Sequence, residues 1–181
     1  KTPYEQTLFL DTDTIIDYNI EDMFELLDNF DFAGTHDLAR KRIKYSNVMP
    51  EYRDIPYAFS ELNTGVLVFK KNEKVMNLFK DWREYFYKYQ KYCPWDQASF
   101  RISLWKSCLE GLKVYVFPVE YNIRSKANRE KQRKFHHEFG EEHLRPRIYH
   151  MHADTRINQG TYEIKSMEEA LKICKQNFME Y

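Results

Sequence analysis

The sequence predicts an α/β fold with a mainly parallel sheet. Two observations carry the prediction. Short apolar runs of strand character alternate along the chain with segments of helical period. One such run, Thr7-Leu8-Phe9-Leu10, leads straight into Asp11-Thr12-Asp13. That places two acids at a strand end, where sheets of this class present side chains to ligands.

The first strand is read as buried, because its apolar residues are consecutive. In an extended chain Asp11 and Asp13 project the same way, about 6–7 Å apart at ~3.3 Å per residue. Two carboxylates that close repel unless a cation or proton lies between them. A hard, oxygen-preferring cation, Mg²⁺ or Mn²⁺, suits them. Next, Ile20, Met23/Phe24 and Leu27 have helical spacing, and Asp17 or Asn19 is placed to cap a helix from Ile20 to Leu27. Phe30 to Thr35 reads as a second strand, ending at His36 and Asp37. Residues 38–62 have no clear period and contain Pro50, Pro56 and Arg40-Lys41-Arg42. They predict a long lid or binding loop, with the basic run on a solvated surface.

Asn63 to Phe69 is the next strand, entered through a turn at Gly65. Asn72 then caps an amphipathic helix with Val75, Leu78/Phe79, Trp82, Tyr85/Phe86 and Tyr89 on one stripe. Pro94-Trp95-Asp96-Gln97 opens another helix, with Ala98, Ile102, Trp105 and Leu109 inward and Gly111 as its stop. Lys113 to Phe117 is a strand, and residues 124–134 form a basic, solvated stretch. Arg147 to His152 is a last strand, and Ser166 caps a final helix through Tyr181. The 181 residues suit a single domain, 1–181, with a real core.

Lys+Arg and Asp+Glu number 28 each, so bulk charge attracts neither nucleic acid nor an anionic membrane. No apolar run approaches the ~20 residues a membrane span requires. Cys93, Cys108 and Cys174 are scattered and form no CxxC, which excludes a zinc ribbon or a disulfide framework. With no signal peptide and no Asn-x-Ser/Thr sequon, a cytoplasmic location is expected. Aromatic residues reach 17%, a richness that suits a sugar- or base-stacking cleft as well as a core. His136, His137 and His143 lie in a polar region without ligand spacing and read as surface residues.

Four marks then occur in order: Leu10-Asp11-Thr12-Asp13-Thr14, Asn63-Thr64-Gly65-Val66-Leu67-Val68-Phe69, Trp95-Asp96-Gln97, and Ile148-Tyr149-His150-Met151-His152. Together they resemble the GT-A glycosyltransferases, closest to the family of glycogenin and bacterial galactosyltransferases. The resemblance implies a metal-dependent transfer of sugar from a nucleoside-diphosphate donor to a carbohydrate or glycan acceptor. It implies Asp11 and Asp13 as ligands of Mn²⁺ or Mg²⁺, with Asp11 also near the ribose. It implies His150 as the third ligand, with His152 as the alternative. Asn63, Thr64 and Gly65 would line the sugar pocket, and Asp96 and Gln97 would act beside the anomeric carbon. Arg124 and Lys126 are candidates for gripping phosphates.

This chain departs from that family's pattern in two places. Only ten residues precede Asp11, where the family has its nucleobase-binding strands and helices. His152-Ala153-Asp154 stands where the family carries Lys-Pro-Trp. The chain is therefore expected to match the later part of a GT-A domain. Two other readings remain open. Haloacid-dehalogenase-type phosphatases also begin with an apolar strand and Asp-x-Asp, using the first Asp as nucleophile and the second as acid/base. A degenerate transferase domain that binds without catalysis is the other.

Overall fold

The computed structural model describes residues 2–37, 45, 47–124, 145–150, 168, 169 and 172. In chain order its elements are β1 (Gln6–Leu10), β2 (Thr14–Ile16), α1 (Asp22–Glu25), β3 (Phe32–His36), α2 (Pro50–Asp54), β4 (Leu62–Lys70), α3 (Glu73–Tyr89), α4 (Gln97–Leu109), β5 (Val114–Phe117) and β6 (Ile148–His150). They divide between two compact units, one of residues 1–9 and 21–117, the other of residues 10–20 and 118–181.

The first unit is built on a four-stranded sheet of order β1-β4-β3-β5. The α/β class holds, and the sheet is mixed. β3 runs parallel to β5 but antiparallel to β4. β4 is buried from Leu62 to Phe69, and the apolar run Val66–Phe69 accounts for the second half of that burial. β1 is not the buried strand its sequence suggests. It lies at the edge of the order, and Phe9 is 46% exposed.

Phe32, Leu67, Phe69, Val75, Leu78, Phe100 and Leu104 form one core between the sheet, α3 and α4. Asn72 caps α3 as expected, its Oδ1 accepting from the amide of Val75 at 3.0 Å. α1 is shorter than its spacing suggests. Its helical backbone begins at Asp22, and Glu21, at the cap position, makes no side-chain cap. A 3₁₀ turn, Leu26–Asp28, completes it, and Met23 and Leu27 are buried.

α4 departs from its expected stripe. Ala98, Ser99, Phe100, Arg101, Ile102, Ser103 and Leu104 are all buried, so the helix is covered on every side over two turns. Phe100 and Leu104 enter the sheet core, while Ala98 and Ile102 enter a second core with Met49, Tyr52, Ile55 and Cys93. Leu109, expected inward, is 70% exposed in the last turn. Gly111 ends the helix at φ +87°, a conformation that suits only glycine well.

That second core also corrects the expected loop. Within residues 47–62, α2 and its flanks bring Met49, Tyr52 and Ile55 into that core, while Tyr57 stays 74% exposed. Arg101, fully buried, fastens this segment: its guanidinium donates to the carbonyls of Phe59, Tyr52 and Pro56 at 2.8, 3.1 and 3.0 Å. The same group lies 4.5 Å from the Tyr52 ring centre, and the Tyr52 hydroxyl donates to buried Glu61.

In the second unit β2 pairs antiparallel with β6, with Thr14 opposite His150 and Ile16 opposite Ile148. A 3₁₀ turn, Val119–Tyr121, leads to Ile123, which bridges in parallel to Tyr149. Arg40-Lys41-Arg42, residues 125–134, His136, His137, His143 and His152 lie outside the described residues. So does the expected final helix, apart from helical Glu168, Glu169 and Lys172. Among the described residues, no helix is long and apolar enough to cross a membrane.

Candidate functional site

Asp11, Asp13 and His150 converge in the second unit. One ligand-type atom from each lies within 4.8 Å of the others. His150 Nε2 stands 3.2 Å from Asp13 Oδ1 and 3.6 Å from Asp11 Oδ2.

The carboxylates meet for a different reason from the one their spacing suggests. They do not continue an extended strand. Asp11 to Thr14 is a hydrogen-bonded turn, in which the Asp11 carbonyl accepts from Thr14 N at 3.1 Å and Thr14 Oγ1 at 2.7 Å. The turn folds both side chains to one side before Thr14 starts β2. The β2–β6 register then sets His150 across from Thr14. The imidazole is 3% exposed, whereas the two carboxyl side chains are about two-fifths exposed, at 42% and 37%. A cation there would be held from one side and open to ligand oxygens on the other. Two carboxylates and one imidazole suit a divalent cation.

Behind the imidazole lies a residue that sequence reasoning missed. His150 Nδ1 is 3.0 Å from Asn122 Oδ1, and both residues are buried. A single Asn between Tyr121 and Ile123 carries no sequence signal of such a role. Its link to His150 exists only through the pairing of Ile123 with β6, where the Ile123 carbonyl accepts from His150 N at 3.0 Å. Arg124 follows directly and is half-buried. Arg147 donates to the Asn19 carbonyl at 2.7 Å and packs on the Tyr18 ring, which braces the ends of β2 and β6.

The remaining predicted residues gather in the first unit. Between the pairs Gly34–Leu67 and His36–Leu62, β4 takes five residue steps where β3 takes two. Asn63, Thr64 and Gly65 therefore bulge from the ladder, with Asn63 Oδ1 accepting from Gly65 N at 3.1 Å. The bulge turns Asn63 and Thr64 toward the start of α4. Asn63 Nδ2 donates to Gln97 Oε1 at 2.7 Å, and Thr64 Oγ1 donates to Asp96 Oδ1 at 3.3 Å.

Asp96 makes no side-chain cap on α4. Its backbone carbonyl accepts from Trp82 Nε1 at 3.1 Å and Ser99 Oγ at 2.7 Å, and its carboxylate accepts from Thr64 and from the amides of Asp96 and Gln97. Burial raises its pKa above the ordinary carboxylate value, and hydrogen bonds from nearby amides and Thr64 only partly offset that. A cavity of about 510 Å³ opens beside Asp96, lined by Phe79, Trp82, Arg83, Phe86, Pro94 and Trp95.

Comparisons with known proteins bear on the fold and the family. No curated protein sequence matches the chain. Among solved structures, the galactosyltransferase LgtC in complex with donor and acceptor sugar analogs superposes with a TM-score of 0.55 at 16% identity, over 84% of this chain and 54% of that one. The bifunctional glycosyltransferase WbbM superposes at 0.55 and 16% identity, over 82% of this chain and 29% of that one. An active-site mutant of LgtC superposes at 0.50 and 15% identity, over 84% of this chain and 54% of that one. The chain thus shares the GT-A fold with these enzymes and spans about half the length of LgtC. At the sequence level, the profile of the nucleotide-diphospho-sugar transferases matches residues 6–176, which is nearly the whole chain, and the chain belongs to that family.

Proposed function

We propose that this chain takes part in metal-dependent transfer of a sugar from a nucleoside-diphosphate donor to a carbohydrate or glycan acceptor. The observation that carries the reading is the convergence of Asp11, Asp13 and His150 in a member of the sugar-nucleotide transferase family. Asp11, Asp13 and His150 would hold Mn²⁺ or Mg²⁺, and the ion's contribution when bound is to neutralise charge on the departing diphosphate.

The chain's own residues do the rest. Partly exposed carboxylates leave room for the donor's oxygens, while the buried imidazole fixes the inner wall. Asn63, Thr64 and Gly65 shape the sugar pocket as a bulge. Gln97 has its carbonyl end occupied by Asn63, so its amino end is what it offers to a sugar oxygen. The Asp96 carboxylate, held by Thr64, accepts from a sugar hydroxyl and stabilises positive charge developing at the anomeric carbon. The aromatic lining beside Asp96 suits the apolar face of an acceptor ring. LgtC was solved with donor and acceptor sugar analogs, which fits this assignment of substrate class.

The test is a panel of nucleotide sugars incubated with the full chain and Mn²⁺, scored for released nucleoside diphosphate. Release that requires Mn²⁺ and is lost in Asp13→Ala supports the reading. Tight nucleotide-sugar binding without any release would make the chain a binding domain instead.

A further inference from the structure

We propose that Asn122 is a positioning residue for the metal centre: its side-chain carbonyl holds His150 with the proton on Nδ1, so that Nε2 presents its lone pair beside Asp11 and Asp13. The inference rests on the metal reading above and adds a residue to it.

The geometry is specific. Asn122 Oδ1 lies 3.0 Å from Nδ1, while Nε2 lies 3.2 Å from Asp13 Oδ1 and 3.6 Å from Asp11 Oδ2. A neutral imidazole carries one proton, and only the unprotonated nitrogen can bind a cation. An acceptor at Nδ1 therefore assigns Nε2 to the ion. Asn122 and His150 are 3% and 4% exposed, so bulk water is poorly placed to replace the amide. The backbone fixes the spacing, because Ile123, next in the chain, pairs with β6. Partners of this kind behind a metal-bound histidine orient the ring and raise its basicity.

The experiment measures Mn²⁺ affinity of the full chain by calorimetry, together with thermal stability, in wild type, Asn122→Leu, Asn122→Asp and Asp13→Ala. Leu fills the space but offers no acceptor, and affinity should fall about 10–100-fold. Asp accepts from Nδ1 more strongly than Asn, so affinity should equal or exceed wild type even though a buried carboxylate lowers the melting temperature. A purely structural role predicts the opposite, with affinity following stability in both variants. Wild-type affinity in Asn122→Leu, beside lost binding in Asp13→Ala, overturns the positioning role and leaves the metal reading standing. No Mn²⁺ binding by wild type overturns both. Should a variant not fold, the wild type decides: with Mg²⁺ bound, ¹⁵N-resolved NMR must show the His150 proton on Nδ1 and protected from exchange with water by its bond to Asn122, and a proton on Nε2, or an Nδ1 proton in free exchange, overturns the inference.

Discussion

Asn63 donates its side-chain amide to Gln97 Oε1 at 2.7 Å, joining residues 34 apart in sequence. The bond fixes which end of the Gln97 amide is available. Gln97→Glu retains an acceptor for Asn63 and removes the amino donor. It should fold normally and lower kcat by about 10²-fold, the usual cost of losing one placed donor, with a smaller effect on donor KM. Steady-state kinetics with circular dichroism checks this, and a rise in KM alone would reduce Gln97 to a binding contact.

A metal centre of Asp11, Asp13 and His150 makes stability depend on the ion. At 100 times its Kd, a ligand bound only by the native state adds about 2.7 kcal/mol. For a chain this long, that raises Tm by roughly 5–10 °C. Thermal melts with and without Mn²⁺ should show the rise in wild type and none in Asp11→Ala or Asp13→Ala. A chelator should abolish turnover in wild type.

Burial holds the Asp96 carboxyl above its ordinary pKa. Its native form therefore keeps a proton to higher pH than its unfolded form, and the group costs stability as pH rises through that window. Asp96→Asn removes the cost. The variant should melt higher than wild type at neutral pH, by no more than about 4 °C, the equivalent of roughly 1 kcal/mol. The gap should close in acid, below the ordinary carboxylate pKa of about 3.9. Turnover should fall at every pH. A variant less stable than wild type at pH 7 would show that the carboxylate supports the fold.

Arg101 satisfies three carbonyls between Tyr52 and Phe59 and lies near buried Glu61. Arg101→Met keeps the stem but orphans those carbonyls and removes the positive charge near Glu61. Urea unfolding should show a loss of about 3 kcal/mol or more. A loss under about 1 kcal/mol would mean that water or a repacked segment takes over its bonds.

Much of this protein was legible from residue order alone. Apolar runs and helical period marked β3, β4, β5, α3 and α4, because burial imposes those periods directly on the chain. The Asn72 cap and the Gly111 stop are local backbone chemistry and need no distant partner. The order of Asp11/Asp13, Asn63–Gly65, Asp96/Gln97 and His150 pointed to sugar-nucleotide transfer, and family membership leaves the phosphatase alternative without support. Tertiary structure decided the rest. Asp11 and Asp13 converge through a turn rather than a strand. His150 reaches them through a register, and Asn122 stands behind it through a single bridge. Arg101 is buried inside α4 because that helix is covered on all sides, a circumstance its own sequence does not encode. Patterns in a chain report what each segment buries. Which side chains meet depends on pairings between segments far apart in sequence, and those exist only once the chain has folded.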